Sequence, residues 1–469
     1  SSVRARGVVY VGTALYVAVF VAAAVIAYLA YDVARLDLGD MVQAIWSTSH
    51  GHFLEVTDTS GRQAVRLGSH VDPFLALLVP LWWAWPSPLM LVVLQVVAVA
   101  AGSIPVYWLA RKHLRSERAA ATFAFVYLFY PATQFNALGI GDGFHSVSVA
   151  IPLILFAIWF LDEERLVLFG VFALLAASTK EEIAASIGCL GLWYAFRRKR
   201  WGVGLSIFGL GLTVSLINFL VIIPHFSPSG ANAFAGRYQQ VGGTPRGILH
   251  TAVTDPVAIL NTVATWHKLF YVVLLLAPFL GLWLLEPLLF LGAIPDLVIN
   301  LLSATPNQTT VYWQYTAGIV PFVLAASIVG ASKLRRKPDA ISRAVLVVVV
   351  VFSFFSIVSP IYRIAVLDFG HVLTSDPTRA AKAHALALIP RGVPVSASNG
   401  LGGLLSERRF IYIFPARRKA AWVIVDARDR SHADRQRYRR NIVAVDASPA
   451  WRVVYRSQGI EVLRKRATS

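Results

Sequence analysis

The sequence predicts an α-helical polytopic membrane protein that ends in a small α/β domain, and three observations support this fold class. Hydrophobic residues make up 57% of the 469-residue chain and charged residues only 14%, which excludes an ordinary soluble domain. Apolar runs of about 14 to 25 residues, the length expected of membrane helices, recur as far as Ile361. Beyond Pro360, short β-rich segments separated by polar turns replace them.

Each long apolar run is taken as one membrane helix, which gives about eleven helices in a domain of residues 1–362. The first run, Val8–Tyr31, is interpreted as a retained helix because no small-residue cleavage site follows it. The predicted spans are 8–31, 86–110, 119–138, 147–161, 166–179, 183–196, 203–224, 267–285, 287–303, 314–332 and 341–361.

Clusters of arginine and lysine predict the orientation of these helices. Cytoplasmic loops carry an excess of Lys and Arg, and a cytoplasmic N-terminus places all three clusters inside. The C-terminal domain then lies on the outer face of the membrane. The clusters are 111–118, 197–200 and 333–337.

The C-terminal segment, residues 363–469, is predicted to be a basic α/β domain. It holds 20 Lys and Arg against 8 Asp and Glu, a charge suited to anionic lipid headgroups, and it has no nucleic-acid motif. One helix is predicted near 376–389. The predicted strands are Val393–Ser396, Phe410–Phe414, Ala421–Asp426, Ile442–Val445, Trp451–Tyr455 and Glu461–Leu463.

Two long outer segments interrupt the spans. The first, 32–85, contains an amphipathic stretch from Leu36 to His50, which predicts a helix lying in the membrane interface. Trp82, Trp83 and Trp85 are predicted headgroup anchors. The second, 225–266, is rich in Gly, Pro, Ser, Asn and Gln and is predicted to be a loop that orders on binding.

The acids and histidines of the hydrophobic region fall at the end of the spans opposite the basic clusters. Ionisable groups in or beside a bilayer are costly and usually face a cavity or one another. Their convergence on one side therefore predicts an active site at the outer membrane surface. The residues are Asp37, Asp40, His70, Asp72, Asp142, His145, Glu181 and Glu182.

Each of these groups also has a purely structural interpretation. Asp37 or Asp40 fits a helix N-cap as well as a base or metal ligand. His70 fits a hydrogen-bonded structural histidine, and Asp142, in the glycine-rich segment before His145, fits a tight turn.

The triplet Lys180-Glu181-Glu182 interrupts an otherwise apolar stretch. Three charges at such a place need partners, water or a ligand, unless they form a short exposed loop. The functional interpretation makes Lys180 a phosphate-binding cation and the glutamates its partner or metal ligands. Substrate contacts are also predicted for three residues of the second outer segment: His225, Arg237 and Tyr238.

Four short elements together resemble a bacterial family of predicted membrane proteins that is related to the C-type (GT-C) polytopic glycosyltransferases. The similarity covers about residues 30–230. Two positions depart from the family pattern: Val42 replaces an acid, and Ser146 replaces a proline. The elements are Asp37-Leu38-Gly39 with Gln43-Ala44-Ile45-Trp46, then His70-Val71-Asp72-Pro73, Phe144-His145 and Lys180-Glu181-Glu182.

The resemblance implies sugar transfer from a polyprenyl-phosphate-linked donor to a glycan, lipid or protein acceptor, on the outer face of the bacterial cytoplasmic membrane. It implies Asp37 as base, with Asp40 as second carboxylate. Lys180 would clamp the donor phosphate, and Glu182 and Gln43 would contact substrate. A divalent cation, Mg²⁺, Mn²⁺ or Ca²⁺, is an allowed cofactor, with ligands drawn from four residues: His70, Asp142, His145 and Glu181.

Two other functions fit the composition. A transporter or flippase for a lipid-linked or anionic solute would place its polar residues near the membrane midplane, often in paired repeats. Here they gather at one surface, although Glu286 and Asp296 do interrupt the late helices. A non-catalytic envelope assembly protein would use the basic C-terminal domain as its binding module.

Overall fold

The computed structural model describes residues 2–139, 141–230, 234–334, 337–355, 376–429, 431 and 434–466. The predicted domain boundary at 362/363 and the end of the predicted span 341–361 lie outside the described residues. So do Arg335 and Arg336 of the third basic cluster.

Most of the membrane region is α-helical, and its helices follow the predicted apolar runs closely. In chain order they are Ser2–Leu29, Asp40–Ser49, Phe74–Leu77, Val79–Ala84, Pro88–Ala101, Ser103–Leu114, Glu117–Phe129, Pro131–Leu138, Ser146–Asp162, Leu166–Ala177, Ile183–Arg198, Trp201–Ile217, Ile223–Phe226, Pro245–Thr254, Pro256–Val263, Trp266–Leu276, Pro287–Phe290, Ile294–Leu302, Val320–Ala331 and Pro338–Phe355.

Fewer of these helices are long enough to cross a bilayer than the sequence predicts. Within the described residues, four helices have the length and composition of a membrane span, and a bent pair, Pro256–Val263 with Trp266–Phe279, makes a fifth. The predicted count of about eleven is therefore not confirmed. Several predicted spans are short apolar helices, such as Leu166–Ala177, and others are broken at prolines, as at Pro131.

The two ends of the helix bundle carry different charged residues. The Ser146–Asp162 helix has 17 residues, so its ends are about 25 Å apart. His145 precedes its first turn, whereas Asp162 ends it and pairs with Lys112 at 2.8 Å. Arg197 also lies 3.5 Å from Asp162, so two basic clusters meet at this end. The polar residues predicted to converge lie at the other end.

The first outer segment is folded onto the protein. Arg35–Gly39 forms a π-helical turn that leads directly into the Asp40–Ser49 helix. Strands β1 (Glu55–Thr57) and β2 (Gln63–Val65) follow as an antiparallel hairpin. Met41 and Ile45 are buried in the core, so most of this helix is covered by protein. Of the three predicted tryptophan anchors, Trp82 is also buried, whereas Trp83 and Trp85 are exposed.

The second outer segment contains more regular structure than its composition predicts. Pro245–Thr254 and Pro256–Val263 are helices, and each begins with a proline behind a capping side chain. Thr244 accepts a hydrogen bond from the Gly247 amide, and Asp255 accepts one from the Ala258 amide. Proline is favourable at the first helical position because its missing amide has no partner there. The prolines that favoured a loop in the sequence thus begin helices in the structure.

The described part of the C-terminal domain has five strands in one mixed sheet, in the order β4-β3-β5-β7-β6. The parallel strands are β3 (Val395–Ala397), β4 (Ile411–Ile413) and β5 (Trp422–Asp426). The antiparallel pair is β6 (Trp451–Ser457) and β7 (Ile460–Lys465). Helices Pro377–Ala387, Asn399–Gly402 and Arg435–Asp446 pack around the sheet. The predicted α/β domain and its helix near 376–389 are confirmed.

One predicted strand of this domain is wrong. Ile442–Val445 lies in the Arg435–Asp446 helix, whose N-cap Asp434 accepts a hydrogen bond from the Arg437 amide. Tyr438, Ile442 and Val445 are buried against the sheet. Their spacing of four and three residues places them on one face of a helix. This helical period outweighs the β-forming residues of Ile442–Val445, and the segment is a helix.

A prediction concerns the tight packing around Gly318. A Cβ atom at this position would lie 1.3 Å from Asp296 Oδ2, inside the buried polar group described below. We expect Gly318→Ala to lower the melting temperature by a few degrees, because overpacking a rigid buried site costs roughly 1–3 kcal/mol and each kcal/mol shifts the melting temperature of a large chain by no more than about 2–4 °C. Gly209→Ala is the matched control, since its Cβ would meet open space. Equal melting temperatures of the two variants would contradict this packing.

Candidate active site

A large cavity opens at the end of the bundle opposite the basic clusters. Its volume is about 1190 Å³, and it is lined by both outer segments and by three interhelical loops. The chain segments that meet here are far apart in sequence, as the predicted convergence requires. The predicted site residues on its wall are Asp37, Asp40, His70, Asp72, Asp142, His145, Lys180, Glu181, Glu182, Arg237 and Tyr238.

Asp37, Asp142 and His145 form one cluster on the cavity wall. His145 Nε2 lies 3.1 Å from Asp142 Oδ2 and 3.8 Å from Asp37 Oδ1. One ligand atom from each residue lies within 4.8 Å of the others, a spacing suited to a metal ion. The Leu38 amide donates a hydrogen bond to the Asp142 carbonyl at 3.0 Å, which joins the two carrier loops.

Glycines let the second of these loops turn so tightly. Gly141 and Gly143 have φ values of 83° and 96°, in the left-handed region that favours glycine. A Cβ atom on Gly143 would lie 2.9 Å from the Leu38 side chain. The predicted turn at Asp142 and the predicted functional cluster are therefore compatible, since the turn brings Asp142 beside Asp37.

The electrostatics of the cluster favour an uncharged imidazole and a carboxyl that titrates near neutrality. Burial and the neighbouring Asp142 raise the pKa of Asp37 to about 7. Burial lowers the pKa of His145 to about 4. Asp37 caps no helix, because the π-helical turn and the following helix both begin without a side-chain cap. The capping interpretation of Asp37 is therefore wrong.

Asp40 has a different environment from Asp37. Its carboxylate accepts a short hydrogen bond from Arg35 and lies 3.9 Å from Arg66 Nη1. Arg66 in turn donates to Asp72 at 2.8 Å, and all but Asp40 are almost completely buried. Both oxygens of this carboxylate therefore face a guanidinium group. Its geometry suits an anchor of the first outer segment.

The charged triplet on the far wall forms two separate pairs. Lys180 Nζ lies 2.6 Å from Glu182 Oε1, and His70 Nδ1 lies 3.0 Å from Glu181 Oε1. Burial by itself disfavours charged Lys180, but Glu182, Glu181 and Asp296 together raise its pKa. Burial also disfavours charged Glu181, yet His70 and Lys180 lower its pKa to about 2. The exposed-loop interpretation is wrong, because all three side chains are buried or nearly so.

The second outer segment closes one side of the cavity. Phe234 lies between the His70 ring, 4.7 Å away, and the Arg237 guanidinium, 4.3 Å away. Arg237 also donates a 3.5 Å hydrogen bond to Tyr315 Oη. Tyr238 Oη accepts one from Gln308 Nε2 at 3.3 Å. Arg237 and Tyr238 are thus held toward the cavity by Tyr315 and Gln308, which lie between the helices Ile294–Leu302 and Val320–Ala331.

Two of the predicted substrate contacts lie elsewhere. His225 is exposed and stacks edge-on against Phe226, outside the cavity wall. Gln43 is fully buried, and its side chain binds Arg35, Thr57 and two carbonyls of the C-terminal domain. Sequence reasoning missed Arg66, a buried cation on the cavity wall. The only signal was an isolated arginine between apolar residues of the first outer segment.

A second, smaller hollow adjoins the cavity. It has a volume of about 500 Å³ and an almost entirely apolar wall, formed by helices Ile183–Arg198, Trp201–Ile217 and Ile294–Leu302. The two hollows share Glu182, Phe219, Val298 and Ile299. An apolar path between helices therefore leads directly to the charged cavity.

The raised pKa of Asp37 predicts a pH-dependent stability. A carboxyl whose folded-state pKa is about 7, above its ordinary value of 3.8, destabilises the fold when ionised. This destabilisation is complete above pH 7 and fades as the pH falls toward 4. We expect Asp37→Asn, without divalent cations, to melt a few degrees higher than the wild type at about pH 8 and equally near pH 4. Asp255→Asn, an exposed cap that Asn also forms, should show no such difference.

Comparison with known proteins agrees with this architecture. The chain aligns over 96% of its length with the apo crystal structure of ArnT from Cupriavidus metallidurans, at 14% identity and a TM-score of 0.55. It aligns over 97% with the same protein bound to undecaprenyl phosphate, at 13% identity and a TM-score of 0.53. Both alignments cover 98% of the ArnT chain. No curated protein matches the sequence.

The helix bundle with its cavity and small sheet domain therefore defines a polytopic membrane protein with the fold of ArnT, a GT-C fold. Residues 30–462 match the family described as "Predicted membrane protein (DUF2079)". The chain belongs to that family, and the resemblance inferred from the sequence is confirmed.

Proposed function

We propose that this protein transfers a sugar from a polyprenyl-phosphate-linked donor to an acceptor hydroxyl at the outer face of the bacterial cytoplasmic membrane. The observation that carries the proposal is the shared cavity, which combines a carboxyl with a pKa of about 7 and a set of cations. Glycosyl transfer needs both a base for the acceptor and positive charge for the departing phosphate.

Asp37 is the base in this proposal. It takes the proton of the acceptor hydroxyl while the acceptor oxygen forms a bond to the anomeric carbon. A base works best when its pKa lies near the working pH, and Asp37 meets that condition. Asp40 instead pairs with Arg35 and Arg66. His145, whose imidazole is uncharged, lies beside both Asp37 and Asp142 and keeps the two carboxyl groups close together.

The bond from the anomeric carbon to the lipid phosphate breaks in the same step, and the phosphate leaves as an anion. Lys180, Arg66 and Arg237 line the cavity and supply positive charge for it. Arg66 and Lys180 are already paired with carboxylates, so they are held in place before the substrate binds. ArnT has been crystallised with undecaprenyl phosphate, a ligand of this chemical class.

The apolar hollow between the helices suits the polyprenyl chain. Its wall includes Glu182, whose carboxylate pairs with Lys180. An isoprenoid chain in this hollow would remain in an apolar environment while its phosphate enters the charged cavity. Burial of apolar surface favours such binding by about 25 cal/mol per Å².

A divalent cation fits the same site. Asp37, Asp142 and His145 would hold it, since two carboxylate oxygens and a neutral imidazole nitrogen lie within 4.8 Å of one another. Such an ion supplies positive charge that stabilises a departing phosphate. Glu181 and His70 bind each other instead and are left as contacts for the donor or acceptor.

The test uses the purified full-length protein in nanodiscs with a radiolabelled undecaprenyl-phosphate sugar and a membrane extract as the source of acceptor. We expect label to move to the acceptor and undecaprenyl phosphate to accumulate in equal amount. Addition of EDTA then shows whether an ion takes part. Failure of the labelled donor to bind would refute the proposal. Uptake of a solute into vesicles without transfer would favour the transporter.

A further inference from the structure

The C-terminal domain contacts the membrane domain at the turn that carries Asp37. Asn399 Oδ1 accepts hydrogen bonds from the backbone amides of Arg35 at 3.0 Å and Leu36 at 3.1 Å. These are the two residues immediately before Asp37. One side chain of the C-terminal domain therefore fixes the backbone from which Asp37 projects.

Asn399 occupies a special place in its own domain. It follows β3, the central parallel strand, whose neighbours β4 and β5 lie on opposite sides. In open sheets with parallel strands, ligands bind in the crevice beyond the carboxyl end of the strand where the strand order reverses. Here residues 33–35 of the same chain occupy that crevice. Val33, Ala34 and Arg35 are all less than a tenth exposed.

Glycines permit this close approach. A Cβ atom on Gly402 would lie 2.9 Å from Arg35 Cβ, and one on Gly403 would lie 3.1 Å from the Ala34 carbonyl oxygen. On the other side, a Cβ atom on Gly39 would lie 2.6 Å from Ser406 Oγ. The chain from Ala34 to Gly39 thus lies in close contact with residues 402–406.

A buried polar network secures the same interface. Arg35 donates to the Gln43 side chain at 2.8 Å and to the Thr57 carbonyl at 3.0 Å. Gln43 Nε2 donates in turn to the carbonyls of Arg408 at 3.1 Å and Arg409 at 2.9 Å. Such a buried network is rigid when its members are satisfied. This network explains why Gln43 is buried at the interface between the domains and is absent from the cavity wall.

We propose that the C-terminal domain positions Asp37. Its sheet crevice binds residues 33–36 at the place where sheets of this kind bind a ligand. Asn399 is the positioning residue for Asp37. This inference rests on the proposed function only for its catalytic consequence. The turn is held from two sides, since the Leu38 amide also binds the Asp142 carbonyl. Loss of one side therefore loosens the geometry between Asp37 and Asp142.

The test compares four variants of the full-length protein in nanodiscs. Asn399→Leu removes the acceptor, and Asn399→Asp keeps it. Gly403→Ala pushes against Ala34, and its matched control is Gly400→Ala, whose Cβ would lie 3.9 Å from the nearest atom. We expect amide hydrogen exchange at Arg35, Leu36 and Leu38 to rise about tenfold in Asn399→Leu and Gly403→Ala. Asn399→Asp and Gly400→Ala should match the wild type.

Kinetics supply the functional readout. We expect Asn399→Leu to lower kcat for sugar transfer at least tenfold with little change in the donor KM, because Lys180 and the apolar hollow do not touch the interface. Asn399→Asp should restore kcat. Unchanged exchange at Leu38 overturns the proposal, and so does faster exchange with unchanged kcat. If the wild type transfers no sugar, the proposed function fails, and exchange at Leu38 alone decides this inference.

Discussion

Asp37→Asn is expected to lower the rate of sugar transfer by about 10²–10⁴-fold, the usual contribution of a positioned general base. Asn has nearly the same shape as Asp but accepts no proton. The donor KM should change little, since the cations that hold the phosphate are untouched. Initial rates with the radiolabelled donor, measured across pH 5 to 9, check the prediction. The wild-type rate should fall below about pH 7, where Asp37 becomes protonated.

The control for this experiment is Asp255→Asn, which makes the same chemical change at an exposed cap outside the cavity. It should transfer sugar at the wild-type rate. A higher melting temperature of Asp37→Asn at alkaline pH would show that the variant is folded. Near wild-type transfer by Asp37→Asn would remove this residue from the mechanism. The pH profile separates a base from a merely structural carboxyl.

Lys180→Met is expected to have the second large effect, on both stability and donor binding. It leaves the buried Glu182 carboxylate unpaired beside Asp296, and breaking a buried ion pair in this way costs about 3–5 kcal/mol. It also removes a cation from the wall where the donor phosphate is proposed to bind. Thermal unfolding and binding of undecaprenyl phosphate in nanodiscs measure the two effects separately.

The double variant Lys180→Met with Glu182→Gln distinguishes the structural role of Lys180 from its binding role. Removing both charges relieves the unpaired carboxylate, so the melting temperature should recover most of its loss. Binding of undecaprenyl phosphate should stay weak, because the cation is still absent. Recovery of binding together with stability would show that Lys180 acts only through the fold.

Much of the fold and the side of the site were predictable because they depend on local patterns. The predicted spans 147–161, 166–179 and 183–196 correspond to helices, and each end agrees to within two residues. Because each predicted span leads the chain to the opposite end of the bundle, charges in alternate loops reach the same end. The sequence therefore predicted that Asp37, His145 and Lys180 share one surface, and all three line the cavity.

The role of each polar residue was not predictable, since it depends on partners far away in the chain. Asp37 and Asp40 are equivalent in sequence, three residues apart. One lies beside Asp142 and His145, and the other lies between Arg35 and Arg66. The raised pKa of Asp37 and the ion pairs of Asp40 both follow from burial and charge at contacts that no local pattern encodes.

The sequence by itself thus determined the class of protein, the order of its elements and the polarity of its two ends, because hydrophobic periodicity and charge act locally along the chain. The tertiary structure alone decided which carboxyl lies beside Asp142 and His145, which cations face the cavity and why Gln43 is buried. It also placed the C-terminal domain on the Asp37 turn through Asn399. The contacts of Gln43 and Asn399 join backbones about 360 residues apart, which meet only in the folded chain, where burial makes each contact specific.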